Sequence, residues 1–360
     1  MSVTKTNILF VLPSLVAGGA ERVMSLIAEN IDNTIFNTTL LVIGFEKDKA
    51  YQINGIKIVY LNKTRMLNGI PKLFLHILIS KPQIVMSCMA HVNNSVALIL
   101  LFFPKIKLVT REANIKKVKA LSHLSKKSNL GNILNKITIK RTNSIVCQSD
   151  DMAKELITEF KVSKSKVIVI NNPISDEFTF KHGSPKNNIV QYITVGRLHE
   201  EKGHLRLLNL LSKLDFPFHY TIIGNGEWYQ EIVNHVKKLN LKSKVSFINY
   251  TNEVAKYLKQ SNVFLQGSFA EGFPNALLES CAVGTPVIAF NAPGGTGEII
   301  EHGINGYIAN NQAEYLMFLN KLQENNLDPI IISQSVFKKF SKELIVENYE
   351  ALFKKIINLK

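Results

Sequence analysis

Two cations five residues apart, Arg197 and Lys202 in VGRLHEEKG, form the first pair in this sequence with a defined chemical use. A guanidinium offers a planar fork to phosphate oxygens and an ammonium a mobile point charge. Together they can grip a diphosphate and stabilise the charge it gains on leaving. Gly196 and Gly203 mark bends at the two ends of the stretch. The plainer alternative is a solvated loop whose cations pair with Glu200 and Glu201. A second constellation is carboxylic: in SFAEGFPNALLES, Glu271 stands in a turn, Pro274 falls near the first helical position, and Glu279 lies one turn past Asn275. Seven residues separate the glutamates, so they need not touch and can hold different parts of one extended ligand. The helix N–H groups between them suit phosphate. Without a ligand, Glu271 would be an acid stabilised by a helix N-terminus and Glu279 a surface charge.

Glycine marks two further loops. PSLVAGGAER puts Gly18 and Gly19 at a helix start, where unpaired backbone N–H groups favour an anion. A tight strand-to-helix turn wants the same glycines for its own geometry, and the spacing is not that of G-x-G-x-x-G. NAPGGTGEIIEHG offers Gly294, Gly295 and Thr296 ahead of a short helix starting near Glu298.

Each of these loops follows a short apolar run. ILFVL, TTLLVI, IKIVYL, QIVMSCM, IKLVT, SIVCQS and KVIVINN read as strands, with helices expected near 20–31, 68–79, 92–103 and 150–160. A second series, QYITVG, HYTIIG, VSFINY, VFLQGS and PVIAFN, alternates with helices near 204–214, 227–239, 253–260, 275–283 and 296–302. Strands apolar throughout are covered on both faces, as in parallel sheets between helix layers. The fold class is therefore α/β, with two doubly wound parallel-sheet domains and ligands beyond the carboxyl ends of the strands. The chain of 360 residues suits two such domains. The polar stretch 175–188 is the expected linker, which gives domains at 1–178 and 189–340 and a C-terminal helix over 341–360 packing back on the first.

Composition narrows the function. Hydrophobic residues at 46% and charged residues at 20% are globular proportions. Cys88, Cys147 and Cys281 are far apart in apolar runs and read as buried thiols of a reducing cytoplasm. The opening MSVTKTNILFVLPSLVAGGA imitates a signal peptide but reads better as a strand and helix, and no apolar run spans a bilayer. Residues 1–180 hold 24 Lys and Arg against 12 Asp and Glu, whereas the rest carry a net charge of only +3. Between 105 and 141 there are 11 basic residues and one acid, Glu112, which predicts attraction to a phosphate-rich surface. An anionic membrane is the expected partner, with 116–127 as its basic segment. Nucleic acid is not expected, because no Phe, Tyr or Trp interleaves that region. The absence of G-x-G-x-x-G weighs against a dinucleotide oxidoreductase, while a nucleotide-sugar epimerase of similar fold and a non-enzymatic basic nucleic-acid-binding module remain the alternatives.

Taken jointly and in order, GGAER at 18–22, GRLHEEKG at 196–203, the Glu271 to Glu279 spacing and PGGTGE at 293–298 resemble glycosyltransferase family 4. These are retaining enzymes of GT-B fold, of bacterial surface polysaccharide and lipopolysaccharide type. The resemblance implies two Rossmann-like domains facing across a cleft, the first for acceptor and the second for a nucleotide-sugar donor, expected to be a UDP sugar. It implies that Gly18, Gly19, Arg197 and Lys202 meet the donor diphosphate. Glu271 would lie by the sugar, main-chain groups of Gly272, Phe273, Pro274 and Asn275 would hold sugar and phosphate, and Glu279 would bind the ribose. His91, after the fourth strand, would contact the transferred sugar. Related enzymes often carry Ser-Glu-Arg where this chain has Thr110, Arg111 and Glu112, which puts a role for the latter two in doubt. No two aspartates form Asp-x-Asp, so no metal cofactor is expected. The sugar, base, acceptor, linkage and oligomeric state are not written in these residues.

Overall fold

The computed structural model describes residues 5–16, 18–112, 129–180 and 189–358. It divides the chain into two units, Met1–Pro173 with Glu343–Lys360, and Ile174–Lys342. Ile174 and Phe178, placed by the sequence in the first domain, are buried in the core of the second unit. The expected basic membrane segment at 116–127 lies outside the described residues.

In the first unit the order is β1 (Thr6–Leu12), α1 (Gly19–Asn30), β2 (Phe36–Val42), β3 (Lys57–Tyr60), α2 (Met66–Ser80) and β4 (Ile84–Cys88). There follow α3 (Ala90–Ile99), β5 (Lys107–Arg111), α4 (Asn129–Arg141), β6 (Ser144–Cys147), α5 (Asp150–Thr158) and β7 (Val167–Val169). The sheet runs β3-β2-β1-β4-β5-β6-β7, and the pairings are parallel. Alternation along β1 divides the core: Ile8, Phe10 and Leu12 join one apolar cluster, Leu9 and Val11 the other.

The second unit contains β8 (Val190–Val195), α6 (His204–Leu211), β9 (Phe218–Ile223), α7 (Tyr229–Lys238), β10 (Val245–Ile248) and α8 (Val254–Gln260). It continues with β11 (Val263–Gln266), α9 (Asn275–Ala282), β12 (Val287–Phe290), α10 (Thr296–Ile299), β13 (Gly306–Ala309), α11 (Gln312–Glu324) and α12 (Pro329–Phe340). Its sheet is parallel, in the order β10-β9-β8-β11-β12-β13. Strand β13, with helices α11 and α12, was not anticipated, since GYIA is four residues long and starts on a glycine.

The last helix, α13 (Lys342–Ile356), buries Ile345, Val346, Tyr349, Leu352 and Phe353 in the core of the first unit. The Phe353 ring meets Phe10 and Phe36 edge-on at 6.2 and 6.1 Å. Asp32 N–H donates to Glu350 at 2.8 Å. Among the described residues, no helix is long and apolar enough to cross a membrane.

Two cations of the 105–141 stretch serve the interior rather than a surface. Arg111 is completely buried, where its guanidinium donates to Asn172 and lies beside Cys88. Arg141 donates to the carbonyls of Leu100, Phe103 and Ile106 at 3.0, 3.0 and 2.7 Å.

Candidate active site

In the second sheet β8 and β11 are central neighbours whose connections leave toward opposite edges. The loops beyond their carboxyl ends therefore open the crevice where doubly wound folds bind ligands. This juxtaposition brings 196–203 next to 267–275, although about 70 residues separate them in sequence.

Glycine makes the approach possible. Gly203 has φ +62°, and a Cβ there would lie 1.9 Å from the Gly267 carbonyl oxygen. Phe269 N–H donates across to Glu201 O at 2.8 Å. Arg206, from the first turn of α6, donates to the carbonyls of Gly267 and Ser268. Its guanidinium is sandwiched between Phe269 and Phe290 at 4.1 and 3.8 Å. Burial brings the Arg206 pKa down to about 10, so the side chain stays charged at neutral pH. Nothing in the loop motifs singles out Arg206; its signal lies only in the two phenylalanines far along the chain.

Lys202 Nζ donates to both carboxylate oxygens of Glu271, at 2.7 and 2.9 Å, and the Ser268 hydroxyl donates to one of them at 2.5 Å. The side chains are only 21% and 10% exposed, so this ion pair is far less screened than a surface one. Arg197 differs: at 70% exposure it projects into solvent and reaches Glu201 at 3.0 Å. The alternative of internal pairing thus applies to Arg197, whereas Lys202 is held by the glutamate of the other loop. Beneath them His204 is 2% exposed, with Nε2 3.4 Å from Arg197 O. Burial lowers its pKa to about 4, and the ring is neutral.

The 292–296 loop is stapled to the Glu271 turn. Glu271 N–H donates to Pro293 O at 3.0 Å and Gly295 N–H to Gly272 O at 3.1 Å. At Gly294, φ +117°, a Cβ would lie 1.7 Å from Glu271 O. The Phe273 ring is buried edge-on against Phe340, which leaves its main chain as the part able to meet a ligand. Pro274 is the N-cap of α9 rather than a helical residue, and its carbonyl accepts from Leu277 and Leu278. Having no N–H, it cannot join an amide cradle, so that capacity falls to its neighbours. Glu279 is partly exposed in the second turn of α9.

In the first unit the corresponding switch point lies between β1 and β4. Gly18 is the extended N-cap of α1 and Gly19 its first residue. A Cβ on Gly18 would lie 2.3 Å from Glu21 Oε2. Glu21 is buried there, and desolvation raises its pKa against the opposing pull of its own backbone N–H and Arg111. His91 is exposed on the first turn of α3. Just ahead, the N-cap Met89 has φ +73° and ψ 136°, a strained conformation for a residue with a side chain. Such strain is characteristic of functional turns and has no sequence signal. Arg111 points into the core, where it is completely buried. Among the described residues, no three His, Cys, Asp or Glu side chains gather as a metal site.

Two parallel α/β units, each with loops converging at a switch point, are the architecture of the GT-B glycosyltransferases. Residues 17–178 match the model of Glycosyltransferase Family 4, and 175–343 that of Glycosyl transferases group 1. The chain belongs to these glycosyltransferases, one family model accounting for each unit. An uncharacterized glycosyltransferase of Haemophilus influenzae is 30% identical over 178 residues, 48% of this chain and 50% of its own. The N-acetylgalactosamine-N,N'-diacetylbacillosaminyl-diphospho-undecaprenol 4-alpha-N-acetylgalactosaminyltransferase of Campylobacter jejuni is 26% identical, covering 61% of this chain and 60% of its own. The chain thus spans about half the length of the curated relatives it matches. Anabaena HepE, solved with UDP-glucose, shares the fold at TM-score 0.81 and 16% identity, over 97% of this chain and 99% of its own.

Proposed function

We propose that this chain transfers a hexose or N-acetylhexosamine from a nucleotide diphosphate sugar, a UDP sugar in the first instance, to a glycan or lipid-linked glycan of a bacterial surface polysaccharide. The observation that carries the reading is the Lys202–Glu271 pair at the switch point of the second unit, with Arg197 exposed beside it. Lys202 supplies a fixed, poorly screened positive charge where a leaving diphosphate gains negative charge. Arg197 has the reach to fold over the same group. Glu271, fixed by Lys202 and Ser268, organises hydroxyls of the sugar rather than attacking it. Glu279 holds the ribose. In the first unit, taken by itself, the roles expected of the Gly18–Gly19 turn and of His91 are contact with diphosphate and with sugar.

The acceptor oxygen bonds to the anomeric carbon as the bond from that carbon to the diphosphate oxygen breaks. The acceptor proton passes to a diphosphate oxygen, and the nucleoside diphosphate departs with it. Attack from the face of departure retains configuration, and with no Asp-x-Asp in the sequence Lys202 and Arg197 neutralise the leaving group without metal. The diphospho-undecaprenol in the Campylobacter relative's name supports a lipid-linked acceptor, and with it a cytoplasmic protein peripheral on the inner membrane face.

Calorimetric titration with UDP tests the clamp. Lys202→Ala and Arg197→Ala should each weaken binding with circular dichroism unchanged; undiminished affinity in both would remove it.

A further inference from the structure

Helix α2 is apolar on both of its sides. Met66, Leu73 and Ile77 pack into the core, yet Leu67, Leu75, Leu78 and Ile79 face solvent. The exposed strip of a surface helix is ordinarily polar, and here Leu67 and Ile79 are 73% and 72% exposed. The short turn after α3 adds Leu101 and Phe102, the latter 74% exposed. The two elements are joined through Phe74, whose ring meets Phe102 at 6.0 Å and Phe103 at 5.2 Å. The three bonds from Arg141 to the carbonyls around that turn hold it in place. Apolar patches of this kind mark surfaces that something covers.

Charge identifies the cover. Residues 49–107 contain eight Lys and Arg and no Asp or Glu. Lys72, Lys81 and Lys105 are exposed on the elements that carry the patch. A second copy of the chain related by a two-fold axis would set these lysines against one another. An anionic bilayer has the complementary layers, phosphates outside and acyl chains beneath.

We propose that the exposed face of α2 and the Leu101–Phe102 turn is the surface by which this chain seats on an anionic membrane. The apolar side chains enter the boundary of headgroups and acyl chains, and the flanking lysines meet lipid phosphates. The choice of a lipid occupant rests on the peripheral-membrane reading above. The face and its charge do not depend on sugar transfer.

Co-sedimentation of the full chain with phosphatidylcholine vesicles, with and without phosphatidylglycerol, tests this and needs neither donor nor acceptor. Binding is expected to the anionic vesicles, and salt should release it. Ile79→Ser/Phe102→Ser should bind on the order of tenfold more weakly or worse, and Lys81→Glu/Lys105→Glu should lose the preference for anionic lipid. Circular dichroism and a urea midpoint like those of wild type show that these variants are folded. Equal binding by wild type and both variants overturns this face while membrane attachment stands; no binding by wild type overturns attachment as well. A dimer that light scattering finds in wild type and not in Ile79→Ser/Phe102→Ser assigns the face to a second copy.

Discussion

Lys202 and Glu271 depend on each other, and their separate roles can be measured. Glu271 is 10% exposed, so Lys202→Ala leaves a poorly hydrated carboxylate that still accepts from the Ser268 hydroxyl. Stability should fall by about 1–3 kcal/mol in urea unfolding, with part recovered in the double variant Lys202→Ala/Glu271→Ala. Strictly additive losses would mean that the pair contributes nothing beyond its members. Function should divide differently. Glu279→Ala is expected to raise the Kd for UDP, whereas Glu271→Ala should lower kcat with UDP still bound. Identical binding defects in the two variants would contradict that division.

At the scale of elements, the site depends on two loops lying closer than side chains allow. Gly203→Ala must relieve a 1.9 Å approach to Gly267 O at φ +62°, at a cost on the order of 1–3 kcal/mol, and should move Lys202 off Glu271. A urea midpoint unchanged from wild type would show that the loops separate freely. His204, buried under the same loop, adds a pH dependence. Its pKa falls from 6.5 to about 4 on folding, so the unfolded chain binds more protons between those values. Stability should therefore decline as pH drops from 6.5 toward 4, by on the order of 3 kcal/mol from this group. His204→Leu should flatten that limb of the unfolding profile; an unaltered slope would place the acid sensitivity elsewhere. The alternation of strands and helices, and the loops carrying Arg197, Glu271 and Gly18, were legible because apolar runs and glycines are local signals. The partner of Lys202 was not, since it depends on β8 lying beside β11. Arg206 was missed for the same reason, its two rings being brought together by tertiary packing. Met89 was missed because backbone strain leaves no mark on residue type. The basic stretch misled in part: Arg111 and Arg141 carry its charge inward.

For the whole molecule, transfer in excess EDTA should match transfer in Mg; abolition by chelation with rescue by Mn would reverse the metal-independent proposal. The C-terminal helix bears on how the molecule is made. Phe10 and Phe36 lie in the first 40 residues, while their partner Phe353 belongs to the last turns of α13. Phe353→Ala should cost about 3–5 kcal/mol, read as a lower midpoint for the transition of the first unit. A translating ribosome delivers Pro173 about 180 residues before Phe353, a delay of roughly 10–40 s at ordinary elongation rates. Through that interval the nascent first unit lacks the five side chains, Ile345, Val346, Tyr349, Leu352 and Phe353, that complete its core.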